Sequence, residues 1–139
     1  MAQEQTRKYK ILVADDDPDI LATMTMALGE LNHTVLSASD GLTALDLAEA
    51  ESPDIVVLDV MLPRRGGFQI LQKLKGSPAM KGMRPLVCMV TGNEGMRHKE
   101  FAERHGVDDY LRKPFPIGRL LEIVRDFIAK LDKGIPNAK

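Results

Sequence analysis

The sequence has little of what marks several large protein classes. It holds one cysteine, Cys88, so it can form no internal disulfide and no cysteine-rich metal site. Its charges nearly cancel. Lys and Arg number 19 against 20 Asp and Glu, for a formal net charge of −1. No basic excess points to nucleic acid or to an anionic membrane. No apolar run approaches the roughly 20 residues that a membrane-spanning helix needs. The first ten residues are polar and mixed in charge, without the apolar stretch of a secretion signal. There is no internal repeat, no low-complexity stretch and no linker toward a second domain. The expectation is a cytoplasmic protein without direct nucleic-acid binding and without membrane insertion.

What is present suits one ordinary domain: 139 residues, 44% of them hydrophobic. Short apolar runs alternate with segments of helical period. Residues 9–14 read as a first strand, ending at Asp15, Asp16 and Asp17. Asp17 is placed to cap a helix and Pro18 to begin it. Ile20, Met24, Ala27, Leu28 and Leu31 then recur at helical spacing as one buried stripe. Residues 34–38 read as a second strand. Asp40 and Gly41 open a helix carrying Leu42, Leu45 and Ala48, which stops before Pro53. The third strand, 55–58, ends at Asp59. A helix from about Gly67 carries Phe68, Leu71 and Leu74. Strand four covers 86–90, a weakly apolar helix covers about 95–105, and a short strand five covers 109–112. Pro116 starts a last helix with Ile117, Leu120, Leu121, Val124, Phe127 and Leu131 on one face.

The strands are continuous apolar runs rather than alternating ones. Burial on both faces produces that pattern, and it predicts a parallel sheet covered by helices. Five βα units with right-handed connections predict an α/β, doubly wound, five-stranded parallel sheet with five helices on two faces. The expected organisation is a polar arm at 1–8, one domain over 9–131 and a frayed tail at 132–139. Cys88, inside the fourth apolar run, and the methionines read as core residues.

Polar residues collect at the carboxyl ends of the strands: Asp15 and Asp16 after the first, Asp59 after the third, Thr91 after the fourth, Lys113 after the fifth. Ligands of open α/β sheets bind outside those ends. Three carboxylates brought together repel one another unless a cation sits among them. Mg²⁺ suits such hard oxygen ligands and often shares its shell with a phosphate. Lys113 and the Thr91 hydroxyl are suited to phosphoryl oxygens. A carboxylate nucleophile, a metal and a lysine together fit phosphoryl transfer to an aspartate.

Four segments carry a family resemblance: 11–17 (ILVADDD), 57–63 (VLDVMLP), 90–92 (VTG) and 109–115 (DYLRKPF). In this order and at these spacings the chain resembles response-regulator receiver domains over about residues 8–131. The resemblance implies the flavodoxin-like strand order 2-1-3-4-5. It implies that Asp59 accepts the phosphoryl group and that Asp16 ligates Mg²⁺ directly, with Asp15 helping directly or through water. The Met61 carbonyl would be a further metal ligand. Thr91 and Lys113 would bind the phosphoryl group. Tyr110 matches the switch aromatic that turns inward as Thr91 moves. Lys113-Pro114 matches a cis peptide bond, and Gly41 and Gly67 match glycines at helix starts. A sensor histidine kinase or a histidine phosphotransfer protein would be the donor. Output would run through the face of residues 95–131, to a downstream protein or a second copy, with Asp108, Asp109, Arg119 and Arg125 as candidate charge partners. Arg65 and Gly66 depart from the family pattern and leave the loop after Asp59 more basic than usual. Gly92 stands where alanine is common. Met61 and Asn93 occupy variable positions that look over the acceptor.

Blander readings stand beside these. Asp15–Asp17 can be a helix-capping cluster alone, and Asp17 and Asp19 fit that role. An EF-hand loop needs Gly and Glu where Ile20 and Met26 stand, so calcium is rejected. Thr91 can be a strand-end hydroxyl, Lys113 a solvated charge and Tyr110 a packed edge-strand aromatic. His33, His98 and His105 have no metal spacing and read as surface residues. Arg64, Arg65, Lys99 and Arg104 read as solvated faces. Two other functions compete with the switch. One is a small phosphohydrolase of the haloacid-dehalogenase type, with Asp15 as nucleophile and Asp17 as its partner. The other is a docking module that works without phosphorylation.

Overall fold

The computed structural model describes residues 7–76, 78–92 and 96–134. Five parallel strands form one sheet: β1 (Lys10–Ala14), β2 (Thr34–Ala38), β3 (Ile55–Asp59), β4 (Leu86–Thr91) and β5 (Asp109–Arg112). Their spatial order is β2-β1-β3-β4-β5, as expected. Among the described residues five α-helices alternate with them: α1 (Pro18–Gly29), α2 (Gly41–Glu51), α3 (Gly67–Lys75) and α4 (Met96–Arg104) connect successive strands, and α5 (Ile117–Lys133) follows β5.

Successive side chains of a strand point to opposite faces, and this divides the core. Ile11, Val13, Ile55, Val57, Cys88 and Val90 lie in one cluster with Met24 and Leu28 of α1 and Leu120, Val124 and Phe127 of α5. Leu12, Ala14, Val56, Leu58, Val87 and Met89 lie in the other, with Ala44 of α2, Ile70 of α3 and Ala102 of α4. β3 and β4 are buried at every position. That double burial is why they read as unbroken apolar runs. β2, at the sheet edge, is only partly covered.

Local chemistry sets the helix starts. The Asp17 carboxylate accepts from the amides of Asp19 at 2.9 Å and Ile20 at 3.3 Å, and Pro18 follows as the first helical residue. Asp40 caps α2 in the same way through the Thr43 amide at 2.8 Å. Its carboxyl is held below the usual range, first by that amide. Pro116 caps α5 rather than beginning it.

Five further expectations need correction. The tail does not begin at 132, because α5 continues to Lys133. The Tyr9 hydroxyl donates to Asp132 at 2.6 Å and ties the last turn to the start of β1. Not every methionine is core. Met26 is 72% and Met61 62% exposed. Met26 is two positions from buried Met24, about 200° around the helix, and Met61 lies beyond the end of β3. His33 and His105 are partly buried and engaged. His33 Nδ1 accepts from the Tyr9 amide at 3.0 Å. His105 lies against Phe101, centroids 4.2 Å apart, and its Nε2 is 2.9 Å from the Gln72 amide nitrogen. The helix-one stripe is fully buried only at Met24 and Leu28, while Ile20 and Leu31 are half-covered. Asp108 is turned inward and cannot serve an exposed dimer face. Its side chain is 2% exposed, and Lys75 lies 2.9 Å from its Oδ2. Asn93, the side chain of His98 and residues 135–139 lie outside the described residues.

Candidate functional site

The sheet carries the predicted polar residues to one edge. Asp15 follows β1 and is fully buried, while its neighbour Asp16 is exposed. Asp59 ends β3 and is 4% exposed. Thr91 ends β4 and is fully buried. Parallel pairing sets Asp59 beside Val90 and Thr91 beside Arg112, so the strand ends are level. Lys113 follows β5, and its amide donates to the Thr91 carbonyl at 2.7 Å. The Lys113–Pro114 peptide bond is cis, as the resemblance implied.

One ligand oxygen from each of Asp15, Asp16 and Asp59 falls within 4.8 Å of the others. Main-chain groups aim two of these carboxylates. Asp15 Oδ1 accepts from the Asp17 amide at 2.9 Å, and Asp59 Oδ1 accepts from the Met61 amide at 3.1 Å. Their second oxygens face Lys113, whose Nζ lies 2.9 Å from Asp15 Oδ2 and 3.3 Å from Asp59 Oδ2.

The electrostatics follow from this crowding. Burial, reinforced by the charge of Asp15, raises the Asp59 pKa above the usual carboxylate value against the opposing Met61 amide and Lys113. Burial alone would lower the pKa of the Lys113 ammonium. Asp15 and Asp59 outweigh it and hold that pKa above the ordinary lysine value. One lysine therefore serves two buried carboxylates, and Asp16 adds an exposed third beside them. Asp15 Oδ2 is buried without a hydrogen bond of good geometry, although the ammonium lies close. A buried oxygen of this kind, in an all-carboxylate donor set, fits a hard divalent cation such as Mg²⁺.

Glycine is required where the loop after β3 packs closely. A methyl group on Gly67 would lie 2.3 Å from the Asp59 carbonyl oxygen, and one on Gly41 would lie 1.8 Å from that of Arg65. The Gly67 amide donates to the Val60 carbonyl, and the Gly41 amide to that of Pro63, each at 2.9 Å. The loop beside Asp59 is thus seated on the starts of α2 and α3. Arg64 is exposed and Arg65 half-exposed, as expected of a solvated loop.

Tyr110 lies on β5, the edge strand, and packs partly buried against the cluster beneath α2–α4 with its hydroxyl out of solvent. A cleft of about 560 Å³ adjoins Lys113 and is lined mainly by Ile20, Met24, Phe115 and Ile117. Sequence reasoning missed that cleft, because its walls come from α1 and from the segment between β5 and the first residue of α5, which are far apart in the chain. It also missed the amides of Asp17 and Met61. Main-chain donors leave no residue-type signal.

A parallel sheet of order 2-1-3-4-5, with acids, a threonine and a lysine at its carboxyl edge, defines a flavodoxin-like receiver. The chain matches the response regulator receiver domain family over residues 11–125 and belongs to that family. It is a module of two-component signalling.

Over 130 residues it is 34% identical to the alkaline phosphatase synthesis transcriptional regulatory protein PhoP of Bacillus subtilis, covering 94% of this chain and 52% of that protein. Identity to the DNA-binding dual master transcriptional regulator RpaA of Synechocystis is also 34%, over 93% and 52% of the two chains. The chain spans about half the length of these relatives. Among solved structures, a CheY-like receiver domain protein of Methanospirillum hungatei superposes with a TM-score of 0.79 at 29% identity, covering 91% of this chain and 98% of that one. The receiver domain of the Francisella response regulator 1452 gives a TM-score of 0.78 at 29% identity, covering 89% and 99%.

Proposed function

We propose that this chain is a phosphorylation-controlled switch whose acceptor is Asp59. The observation that carries the reading is the convergence of Asp15, Asp16, Asp59 and Lys113 at one sheet edge. In the proposed reaction an Asp59 carboxylate oxygen forms a bond to phosphorus. The phosphorus–nitrogen bond to the donor histidine breaks, and its electron pair leaves with the imidazole, which is then protonated. The Met61 amide holds Asp59 Oδ1, which leaves Oδ2 to attack. Lys113 and Thr91 receive the transferred oxygens. Mg²⁺, when bound, neutralises charge on those oxygens, and Asp15, Asp16, Asp59 and the Met61 carbonyl are the residues that would hold it.

Removal of the Lys113 ammonium from Asp15 toward the phosphoryl group, with Thr91, would bias the face built from α4, β5 and α5. Tyr110, half-buried in β5, is the aromatic that would follow. The donor would be a phosphohistidine on a sensor kinase or phosphotransfer protein, and the target a downstream protein or a second copy. The domain proper would run from 9 through the end of α5 at Lys133, preceded by the arm at 1–8, and the natural setting would be the cytoplasm. Asp17 disfavours the phosphohydrolase alternative. Its carboxylate is occupied in capping α1 and is exposed to solvent, away from the buried pair.

Intact mass after incubation with acetyl phosphate tests this reading. A gain of one phosphoryl group with Mg²⁺, absent in EDTA and absent in Asp59→Asn, is expected. No gain in the wild type would favour the docking module. A gain that persists in Asp59→Asn would move the nucleophile to Asp15.

A further inference from the structure

A second buried charge pair lies at the opposite end of the strands from the phosphoryl site. Lys75, the last residue of α3, has a side chain with no solvent exposure. Its ammonium donates to the carbonyl of Met80 at 3.2 Å and to that of Met83. It also lies 2.9 Å from Asp108 Oδ2. Two carbonyl oxygens and one carboxylate oxygen therefore surround a single positive charge. That donor set is of the kind that binds a small cation.

Asp108 extends the arrangement. Its Oδ1 accepts from the Gly82 amide at 2.6 Å and its Oδ2 from the Val87 amide at 2.8 Å. Its own amide donates to the Val87 carbonyl at 2.9 Å. Through these bonds one charge pair joins the end of α3, the loop that leads to β4, the first turn of β4 and the residue before β5. Burial lowers the pKa of the Lys75 ammonium, and Asp108 opposes that effect. Among the described residues of this loop, Met80 and Met83 are partly buried, while Ala79, Lys81 and Arg84 are exposed. The Lys75–Asp108 contacts are the polar bonds that tie it down.

We infer that Met80, Met83 and Asp108 form an internal cation site, filled by the tethered ammonium of Lys75, whose occupation orders the α3–β4 loop and the start of β5. The ligand class follows from the geometry. When Lys75 is shortened to alanine, the atoms removed beyond Cβ are those of n-propylammonium. A small primary alkylammonium ion is then the matching free ligand. A neutral alcohol of the same length cannot replace the charge opposite Asp108, because a buried carboxylate stripped of its partner is strongly destabilising.

Native-state hydrogen exchange of the Gly82 and Val87 amides, in wild type and in Lys75→Ala, tests the site. Protection of both amides should fall about tenfold or more in the variant. It should recover in millimolar n-propylammonium chloride, but not in equal n-propanol or in sodium chloride at the same ionic strength. Loss of protection that propanol restores equally would reduce Lys75 to a space-filling residue and overturn the site. No loss of protection would overturn it as well. A wild-type measurement covers a variant that fails to fold. A caged ammonium exchanges its protons slowly, so ¹⁵N-detected spectra should show a Lys75 –NH₃⁺ signal that solvated lysines lack. Absence of that signal in folded protein would refute the cage.

Discussion

The Lys113 ammonium lies 2.9 Å from Asp15 Oδ2 and 3.3 Å from Asp59 Oδ2, closer to the residue expected to hold a metal than to the expected acceptor. Lysine and a bound metal would therefore compete for the same carboxylates. Lys113→Met should cost about 1–3 kcal/mol of stability in EDTA, because two buried carboxylates lose their counter-charge. Saturating Mg²⁺ should recover most of the loss, and Mg²⁺ should bind the variant several-fold more tightly than wild type. Urea unfolding with and without Mg²⁺ reads both effects. An equal loss in the two conditions would show that the metal does not share the site.

Asp59 gives a pH dependence with a definite sign. Its pKa is raised in the folded state, chiefly by burial. Its stabilising contribution is therefore fully present below the unfolded carboxylate value and is lost as pH rises through the raised folded value. In EDTA, Asp59→Asn should unfold at higher temperature than wild type, by about 3 °C. The difference should shrink as pH falls below the ordinary aspartate range. Mg²⁺ should narrow or reverse it at neutral pH. Thermal melts from pH 3 to pH 8 decide the matter.

The two close-approach glycines should not tolerate a side chain. Gly41→Ala places a methyl group against the Arg65 carbonyl, and Gly67→Ala places one against that of Asp59. Each should destabilise by about 2–4 kcal/mol in urea unfolding, because backbone must move to relieve the overlap. Gly67→Ala should also slow phosphorylation by acetyl phosphate more than Gly41→Ala does, since the carbonyl it displaces belongs to Asp59, the proposed acceptor. Equal slowing by both would tie the effect to stability alone.

Tyr9→Phe should remove the bond to Asp132 and loosen the last turn of α5. A loss of about 1 kcal/mol is expected. Hydrogen exchange should rise over the last turn of α5 and stay unchanged in its first turn. A uniform rise along the helix would contradict a local tether.

Cys88 should be inert in the folded protein. It is fully buried in β4, and burial pushes its thiol pKa far above the usual value. A thiol reagent at pH 8 should label it only at the rate of opening, with full labelling in denaturant. Rapid labelling of native protein would place it near solvent.

Much of the fold was readable from residue order. The apolar runs at 55–58 and 86–90 announced strands covered on both faces, and Asp17-Pro18 and Asp40-Gly41 marked helix starts. The pocket was legible because four of the five strands, all but β2, end at its chemistry. Some features were not legible. The reach of α5 to Lys133 depends on Tyr9, 123 residues away from Asp132. The inward turn of Asp108 depends on Lys75 and on two amides. Neither position has a local pattern that separates it from an exposed acid.

The sequence by itself determined the strands and helices, their alternation and the acids, threonine and lysine at the strand ends, because periodicity and capping act over a few residues. Only the tertiary structure decided which carboxylates face one another, which lysine answers two of them and which lies caged by Asp108. Those outcomes depend on distances between segments remote in the chain, and burial there converts an ordinary charge into one that must find a partner.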